Sequence, residues 1–159
     1  MTLWRRLVDG LGGRRGRSPD FLAEALELEA SGDFANALTS YRLALRERPD
    51  DLRVLQNIAI AYSRAGQPDE AIRAYRRALT LDGTLAGAHY GLAFLLIKRG
   101  EPLEAQGHLE AFLALPMAED EGSARFRSHA HRTLQELRRA PVADDDPGVL
   151  DGPVHPDGA

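Results

Sequence analysis

The most constraining feature of this sequence is an internal repeat with a period of 34 residues. Gly32, Gly66 and Gly100 mark the period, and small or apolar residues recur at fixed distances from each of them. The recurring positions are Ala25, Ala59 and Ala93 before the glycine, then Ala37, Ala71 and Ala105, Tyr41, Tyr75 and Leu109, and Leu45, Leu79 and Leu113 after it. Self-similarity of this length is typical of architectures in which one supersecondary unit stacks on copies of itself.

Each copy of the repeat predicts a helix, a tight turn and a second helix. Large apolar residues at three- and four-residue spacing form one face of each helix, and the alanines allow two helices to approach closely. The glycine suits the left-handed conformation that commonly ends a helix, and Pro68 and Pro102 suit the first turn of the next one. We therefore expect seven helices, near residues 20–31, 34–47, 52–65, 68–81, 86–99, 102–114 and 120–139.

The composition is that of a helical globular chain. It is rich in Ala, Leu, Arg and Glu and poor in β-branched residues, which favours helix over sheet. The absence of cysteine excludes disulfides and thiolate metal sites, and the formal net charge of −4 argues against general binding of nucleic acids. No apolar run reaches membrane-spanning length. We expect a cytoplasmic protein, with peripheral attachment to a membrane as the alternative.

The repeated motif resembles that of a known family. A small residue, Gly, Ala, an aromatic residue and Ala occur in that order at Ala25, Gly32, Ala37, Tyr41 and Ala44, and again at Ala59, Gly66, Ala71, Tyr75 and Ala78. This pattern is similar to that of the tetratricopeptide repeat family from about residue 19 to residue 117, although Phe112 replaces the last alanine in the third copy. The resemblance implies an all-α fold, an α-solenoid of three helix-turn-helix repeats followed by a C-terminal capping helix.

The sequence divides into three segments by composition. Residues 1–17 are Gly- and Arg-rich and are expected to be flexible, and residues 140–159 form an acidic tail that is expected to be disordered. The solenoid is predicted between them, over residues 18–139, with repeats at about 18–51, 52–85 and 86–117 and the capping helix at about 120–139. The capping helix is predicted to bury Phe126, Ala130, Leu134 and Leu137 and to direct arginines such as Arg127 outwards.

The concave face of the predicted solenoid is the candidate binding site, because the first helices of successive repeats line that face. In the resembled family, the concave groove usually holds a peptide or a partner helix. The predicted groove residues are Leu22, Leu26, Arg53, Gln56, Asn57, Ile60, Arg64, Tyr90, Phe94, Ile97 and Lys98. An apolar floor flanked by cations predicts a protein partner with apolar anchors and acidic groups. The alternative is that the apolar residues are core without a binding role.

Some members of the resembled family bind chaperone tails through a carboxylate clamp of Lys, Asn, Asn, Lys and Arg. Carried over by position, only Asn57 matches this clamp. Leu22, Leu26, Gly87 and Gly91 occupy the remaining positions. The comparison disfavours a chaperone-tail role of that kind.

The N-terminal segment is a second candidate surface. Its residues Leu3, Trp4 and Leu7 form an apolar stripe, and Arg5 and Arg6 lie on the other side of a short predicted helix. Tryptophan beside arginines is typical of a segment that contacts an anionic membrane surface. Docking on its own solenoid, or plain disorder, is the alternative. The alternative function is therefore a peripheral membrane tether or an oligomerising assembly factor, with a homo-oligomer as one outcome.

The sequence contains no recognisable catalytic or cofactor-binding pattern. The stretch DGLGGRRG lacks the preceding strand and the lysine of a phosphate-binding loop. His129 and His131 are two residues apart and would face different directions on a helix, and His89 and His108 lie in different predicted helices. We expect no metal, no cofactor and no enzymatic activity. The favoured function is a non-enzymatic protein–protein interaction adaptor or scaffold.

Overall fold

The computed structural model describes residues 20–118 and 120–139, and every regular element in these ranges is an α-helix. The helices are α1 (Phe21–Ala30), α2 (Phe34–Glu47), α3 (Leu52–Arg64), α4 (Pro68–Leu81), α5 (Ala86–Arg99), α6 (Pro102–Ala114) and α7 (Glu121–Arg139). Each begins and ends within one residue of its predicted position, and the predicted all-α solenoid is confirmed. Within the described ranges, no helix combines the length and the apolar character needed to cross a membrane.

Short-range signals in the sequence explain where the helices begin. Asp20 and Asp33 each accept a hydrogen bond at 3.2 Å from the backbone N–H three residues later, and Asp51 caps the start of α3 in the same way. These carboxylates satisfy N–H groups that the first turn of a helix leaves without an intrahelical partner. Helices α4 and α6 begin instead at Pro68 and Pro102, which have no N–H to satisfy.

The three glycines that mark the period form the turn within each repeat. The φ angles of Gly32, Gly66 and Gly100 are 83°, 72° and 82°, which is the left-handed region that residues with a side chain adopt reluctantly. The turn reverses the chain direction, and the two helices of a repeat therefore pack against each other in antiparallel orientation.

Buried alanines lie in the core where the paired helices pack. Both alanine columns are buried in all three copies, at Ala25, Ala37, Ala59, Ala71, Ala93 and Ala105. Each helix packs mainly on the helices that precede and follow it in the chain, and α3 also contacts α5. This nearest-neighbour packing is the arrangement of a solenoid, in which one core runs continuously through the stacked repeats.

The last helix, α7, covers the exposed end of the third repeat. Ala130 and Leu134 of α7 are buried in the common core. The prediction that Arg127 points outwards is wrong, because its guanidinium donates hydrogen bonds to the carbonyl oxygens of Leu113, at 3.0 Å, and of Leu115, at 3.4 Å. These carbonyls belong to the C-terminal end of α6, where a helix leaves acceptors without intrahelical donors. Arg127 therefore joins the capping helix to α6.

Candidate functional site

A groove of about 500 Å³ lies between the second repeat, the third repeat and α7. Its large apolar and aromatic side chains come from five helices and from the α6–α7 connection and are Ile60, Tyr75, Tyr90, Phe94, Leu95, Phe112, Met117 and Phe126. The groove is open to solvent, since Ile60 is 37% exposed and Phe126 is 51% exposed. Phe126 was predicted to be buried with the capping stripe, and this prediction is wrong because the N-terminal half of α7 borders the groove. A concave, mostly apolar space of this volume is typical of ligand-binding sites.

An aromatic cluster around Tyr90 forms one half of the groove. The ring centroid of Tyr90 lies 4.7 Å from that of Phe94 and 5.1 Å from those of Phe112 and Phe126. Its hydroxyl is 2.6 Å from Nδ1 of His129, whose ring stacks on Phe94 with a centroid distance of 4.7 Å. Tilted and edge-on contacts of this kind are favourable between aromatic rings. The cluster ties α5, α6 and α7 together and holds the wall of the groove in place.

A glycine on α5 allows a tyrosine of α4 to reach the groove. A Cβ atom built on Gly91 would lie 2.6 Å from Cζ and Oη of Tyr75, so the ring occupies the space that a side chain at residue 91 would need. Tyr75 is 5% exposed. Burial raises the pKa of its hydroxyl to about 12, although the nearby positive charge of Arg64 opposes this shift. The hydroxyl therefore remains a proton donor at neutral pH.

Two cations, Arg64 and Lys98, border the groove. Nη1 of Arg64 donates a hydrogen bond of 2.6 Å to Oε1 of Glu29, and its guanidinium lies 6.0 Å from the ring centroid of Phe34. Lys98 is exposed and forms no ion pair with any residue of the described ranges. The positive charge that remains available to a ligand is thus mainly that of Lys98.

Five of the predicted groove residues line this cavity, and six do not. The five are Ile60, Arg64, Tyr90, Phe94 and Lys98. The six are Leu22, Leu26, Arg53, Gln56, Asn57 and Ile97. Of these, Leu22 belongs to the buried core, so its prediction as a groove residue is wrong: a leucine in this column packs inwards. Leu26 is exposed on α1, beyond the cavity.

The other four residues outside the cavity have local roles or positions of their own. Arg53 lies 3.8 Å from the carboxylate of Asp51 at the start of α3. Gln56 faces Gly87 across the α3–α5 contact, and Asn57 is half-buried. Ile97 packs against the core. None of them is brought to the groove lining.

The second candidate surface lies outside the described residues. This applies to Leu3, Trp4, Arg5, Arg6 and Leu7, and also to the acidic tail over residues 140–159.

Two histidines that the sequence places in different helices are in contact. Nδ1 of His89 and Nδ1 of His108 are 2.9 Å apart, and Nε2 of His89 is 3.0 Å from the carbonyl oxygen of Gly83. Since that carbonyl needs a donor on Nε2 of His89, Nδ1 of His108 donates to Nδ1 of His89. Burial, followed by the proximity of His89, lowers the pKa of His108 below its usual range. Within residues 20–118 and 120–139, no group of three or more potential ligands could hold a metal ion.

Sequence reasoning missed the following large residues of the groove lining: Tyr75, Leu95, Phe112, Met117 and Phe126. Tyr75 occupies the same position in its repeat as Tyr41, which is buried in the core, so the repeat pattern indicates a core residue there. Phe112 was noted only as a departure from the repeated motif. The residues on α7 have no counterpart elsewhere in the chain, so no column could reveal which of them faces α5. The one available signal was Gly91, which leaves space opposite the tyrosine column.

Models of the tetratricopeptide repeat match this chain over residues 21–82 and 64–115. The peroxisomal targeting signal receptor of Eremothecium gossypii is 33% identical over 126 residues, which cover 77% of this chain and 22% of the receptor. The chain spans about a fifth of the length of this receptor and of the receptors of the same name from Candida albicans, Kluyveromyces lactis and Candida glabrata.

Solved structures with the same fold include two that are complexes. The Yersinia enterocolitica chaperone SycD in complex with a peptide of the translocator YopD gives a TM-score of 0.68 at 19% identity, over 74% of this chain and 89% of that one. The TPR2B domain of yeast Sti1, in a pHsp70 complex, gives a TM-score of 0.66 at 24% identity, over 74% and 95%. At these identities the similarity concerns the fold.

Proposed function

Since the chain belongs to the tetratricopeptide repeat family, we propose that it is a non-enzymatic adaptor whose groove holds a peptide or a helix of a partner protein. The observation that carries this proposal is the groove itself, a space of about 500 Å³ with aromatic walls and a partly exposed apolar lining. Exposed apolar surface that is concentrated in one concavity marks an interaction site more often than apolar residues scattered singly do. Apolar side chains of a partner would be removed from water there.

The apolar surface continues beyond the groove towards the first repeat. Leu26 on α1 is 45% exposed and, like Ile60 on α3 and Phe94 on α5, stands six residues before the glycine of its repeat. An elongated ligand that crosses α5, α3 and α1 could therefore bury more apolar area than the cavity alone offers. The similar folds of SycD and Sti1 are described in complex with a YopD peptide and with pHsp70, which supports a peptide as the occupant.

The lining of the groove suits binding rather than reaction chemistry. Its described residues include aromatic and aliphatic side chains, two hydroxyl-bearing types and two cations, and they include no carboxylate and no histidine. The side chains supply shape, apolar area and positive charge.

Charge substitutions at the open edge of the groove test the proposal. A partner is first identified by capture and mass spectrometry, its binding segment is mapped with synthetic peptides, and the peptide Kd is measured by fluorescence anisotropy. Ile60→Asp and Phe126→Asp are each expected to weaken binding about ten-fold or more, because they place a carboxylate where an apolar anchor would lie. Both positions are already solvent-exposed, so the helices should persist in circular dichroism.

Leu103→Asp is the matched control. Leu103 is the most exposed large apolar residue in the described ranges, at 72%, and it does not line the groove. Its substitution should leave the Kd unchanged. Full affinity in both groove variants would place the binding face elsewhere on the molecule.

A further inference from the structure

The contact between the first and second repeats contains a complete three-residue bridge. The hydroxyl of Tyr41 donates to Oε2 of Glu29 at 2.7 Å, and Nη1 of Arg64 donates to Oε1 of the same carboxylate at 2.6 Å. Glu29 is thus held between a tyrosine of α2 and an arginine of α3. Its side chain is 13% exposed. The buried tyrosine hydroxyl and the carboxylate therefore satisfy each other.

The equivalent contact, one period of 34 residues later, lies between the second and third repeats. The central carboxylate of the bridge is missing there. Tyr75 corresponds to Tyr41, Lys98 corresponds to Arg64, and Ser63 stands where Glu29 stands in the first copy. All three residues line the groove. A donor and a cation are therefore retained at this contact, but the carboxylate between them is replaced by a serine.

Neither of the two retained groups has a protein partner in the described part of the chain. Within residues 20–118 and 120–139, the hydroxyl of Tyr75 takes part in no hydrogen bond, although the residue is 5% exposed. Lys98 likewise forms no ion pair there. No fully buried side-chain polar atom in these ranges lacks a hydrogen-bond partner, so the hydroxyl of Tyr75 reaches the open groove, where it can donate to an occupant that supplies an acceptor.

We infer that Tyr75 and Lys98 bind a carboxylate of the peptide in the groove, in the place that Glu29 occupies one repeat earlier. This inference rests on the proposed function and specifies the ligand: an acidic group next to a large apolar side chain. The carboxylate lies at the Ser63 end, and the apolar side chain enters the cluster of Tyr90, Phe94 and Phe126. The site differs from the clamp positions of the resembled family, which fall on other residues here.

Several physical features favour a carboxylate over a neutral acceptor. The hydroxyl of Tyr75 is protonated at neutral pH, and burial raises its pKa further, to about 12, so the group can donate to an anion. Lys98, which forms no ion pair within the described residues, supplies positive charge to the same groove. A hydrogen bond to an ionised acceptor is stronger than one to a neutral acceptor. The apolar surroundings weaken the competition from water.

A pair of small probes separates the carboxylate site from the groove. Hydrocinnamate combines a phenyl ring with a carboxylate, and hydrocinnamamide has the same shape without the charge. Each is titrated into the full chain at pH 7 and followed by the NMR signals of the groove residues. The acid is expected to bind about five-fold more tightly than the amide, with the largest shifts at Tyr75 and Lys98. Tyr75→Phe and Lys98→Met should reduce its affinity to that of the amide, whose own affinity should not change.

The outcomes distinguish this inference from the proposed function. Equal affinity of acid and amide, with both in the groove, would overturn the carboxylate site and leave the peptide groove standing. The absence of groove shifts with either probe would count against both.

A second variant tests the repeat correspondence directly. Ser63→Glu restores the missing carboxylate and should occupy Tyr75 and Lys98 from within, so that hydrocinnamate loses its advantage while hydrocinnamamide still binds. Ser63→Gln is the matched control of equal size and should keep the preference for the acid. An unchanged preference in Ser63→Glu would overturn the inference, and circular dichroism confirms that the variant is folded.

Discussion

The two contacts between successive repeats retain the same donor and cation positions, yet one is closed and the other is open. In the first contact, Glu29 binds Tyr41 and Arg64. In the second, Ser63 leaves Tyr75 and Lys98 facing a cavity. The difference indicates that the residue at one repeat position, Glu29 or Ser63, determines how the buried tyrosine is used. With Glu29 its hydroxyl forms a hydrogen bond within the protein, and with Ser63 the hydroxyl remains available to a ligand.

The second contact also has a wall that the first one lacks. Helix α7 places Phe126 and His129 beside Tyr90 of α5. The equivalent first helices of the other repeats, α1 and α3, have no counterpart of α7 among the described helices. A solenoid made of equivalent repeats therefore offers different surfaces along its length, because its end is completed by a helix of another kind.

The largest effect on stability is expected from Leu134→Asp, which destabilises α7, the helix that forms this wall. Leu134 is buried, so a carboxylate there should cost about 3–5 kcal/mol of stability through desolvation and lost packing. Because repeat stability depends on neighbouring units, amide hydrogen exchange should accelerate in α5 to α7 and change least in α1 and α2. Leu103→Asp, at an exposed position, is the control. Preferential loosening of α1 and α2 would contradict a linear solenoid.

Glu29→Ala should open the closed contact. The substitution removes the acceptor of Tyr41 and Arg64 and is expected to cost about 2 kcal/mol in urea denaturation. Added acetate should restore part of this loss, since it can take the position of the missing carboxylate. Glu27→Ala, on the exposed side of the same helix, should show neither effect. If acetate stabilises Glu29→Ala no more than it stabilises the unmodified chain, the opened contact does not bind an external carboxylate.

The two tyrosine hydroxyls should differ in their effect on stability. Tyr41→Phe removes a hydrogen bond to a carboxylate and should lower the free energy of unfolding by about 1–2 kcal/mol. Tyr75→Phe removes a hydroxyl without a described partner and should change it by less than about 0.5 kcal/mol. Urea denaturation followed by circular dichroism measures both. Equal losses would mean that the Tyr75 hydroxyl has a structural partner.

Two helix-interior glycines offer a finer test of how Tyr75 is accommodated. Gly107→Ala meets no atom within 4 Å and should stabilise α6 by about 0.5–1 kcal/mol. The Gly91→Ala variant should have a free energy of unfolding about 1 kcal/mol or more below that of Gly107→Ala, because the new methyl group would displace the ring of Tyr75 into the groove. Thermal denaturation gives the difference, and the hydrocinnamate titration reports the blocked groove. Equal stabilisation by both alanines would show that the ring is not held against residue 91.

The smallest effect concerns pH and belongs to the third repeat alone. The pKa of His108 is lowered by burial and by His89, with Arg76 acting in the same direction and Glu104 against it. A histidine with a depressed folded-state pKa binds its proton more readily when unfolded, so stability should fall as the pH decreases from 7 to 5.

The matched variants for this pH dependence are His108→Asn and His131→Asn. The first should lose less stability than the unmodified chain between pH 7 and pH 5, and the second, at an exposed position, should behave like the unmodified chain. Thermal denaturation at both pH values measures the difference. A pH dependence that survives in His108→Asn would assign it to another group.

The helices were predictable because their signals are local. Aspartates at the starts, glycines in the turns and prolines at the first helical positions each act through the adjacent backbone. The groove was predictable only on the helix faces that recur, such as those of Tyr90 and Phe94. The position of Phe126 depends on how a single unrepeated helix packs, and no internal comparison constrains it. The free hydroxyl of Tyr75 required a comparison of polar columns, Glu29 against Ser63, which hydrophobic periodicity does not provide.

The attachment of α7 through Arg127 has a consequence for the time at which the site matures during synthesis. The walls of the groove come from residues that leave the ribosome in sequence, and Phe126 and His129 follow Phe112 of α6 by 14 and 17 positions. At about 5–20 residues per second, a nascent chain would carry a groove without its α7 wall for roughly one to three seconds before that wall could dock. A partner present during translation would thus meet a more accessible cleft than one that arrives after release.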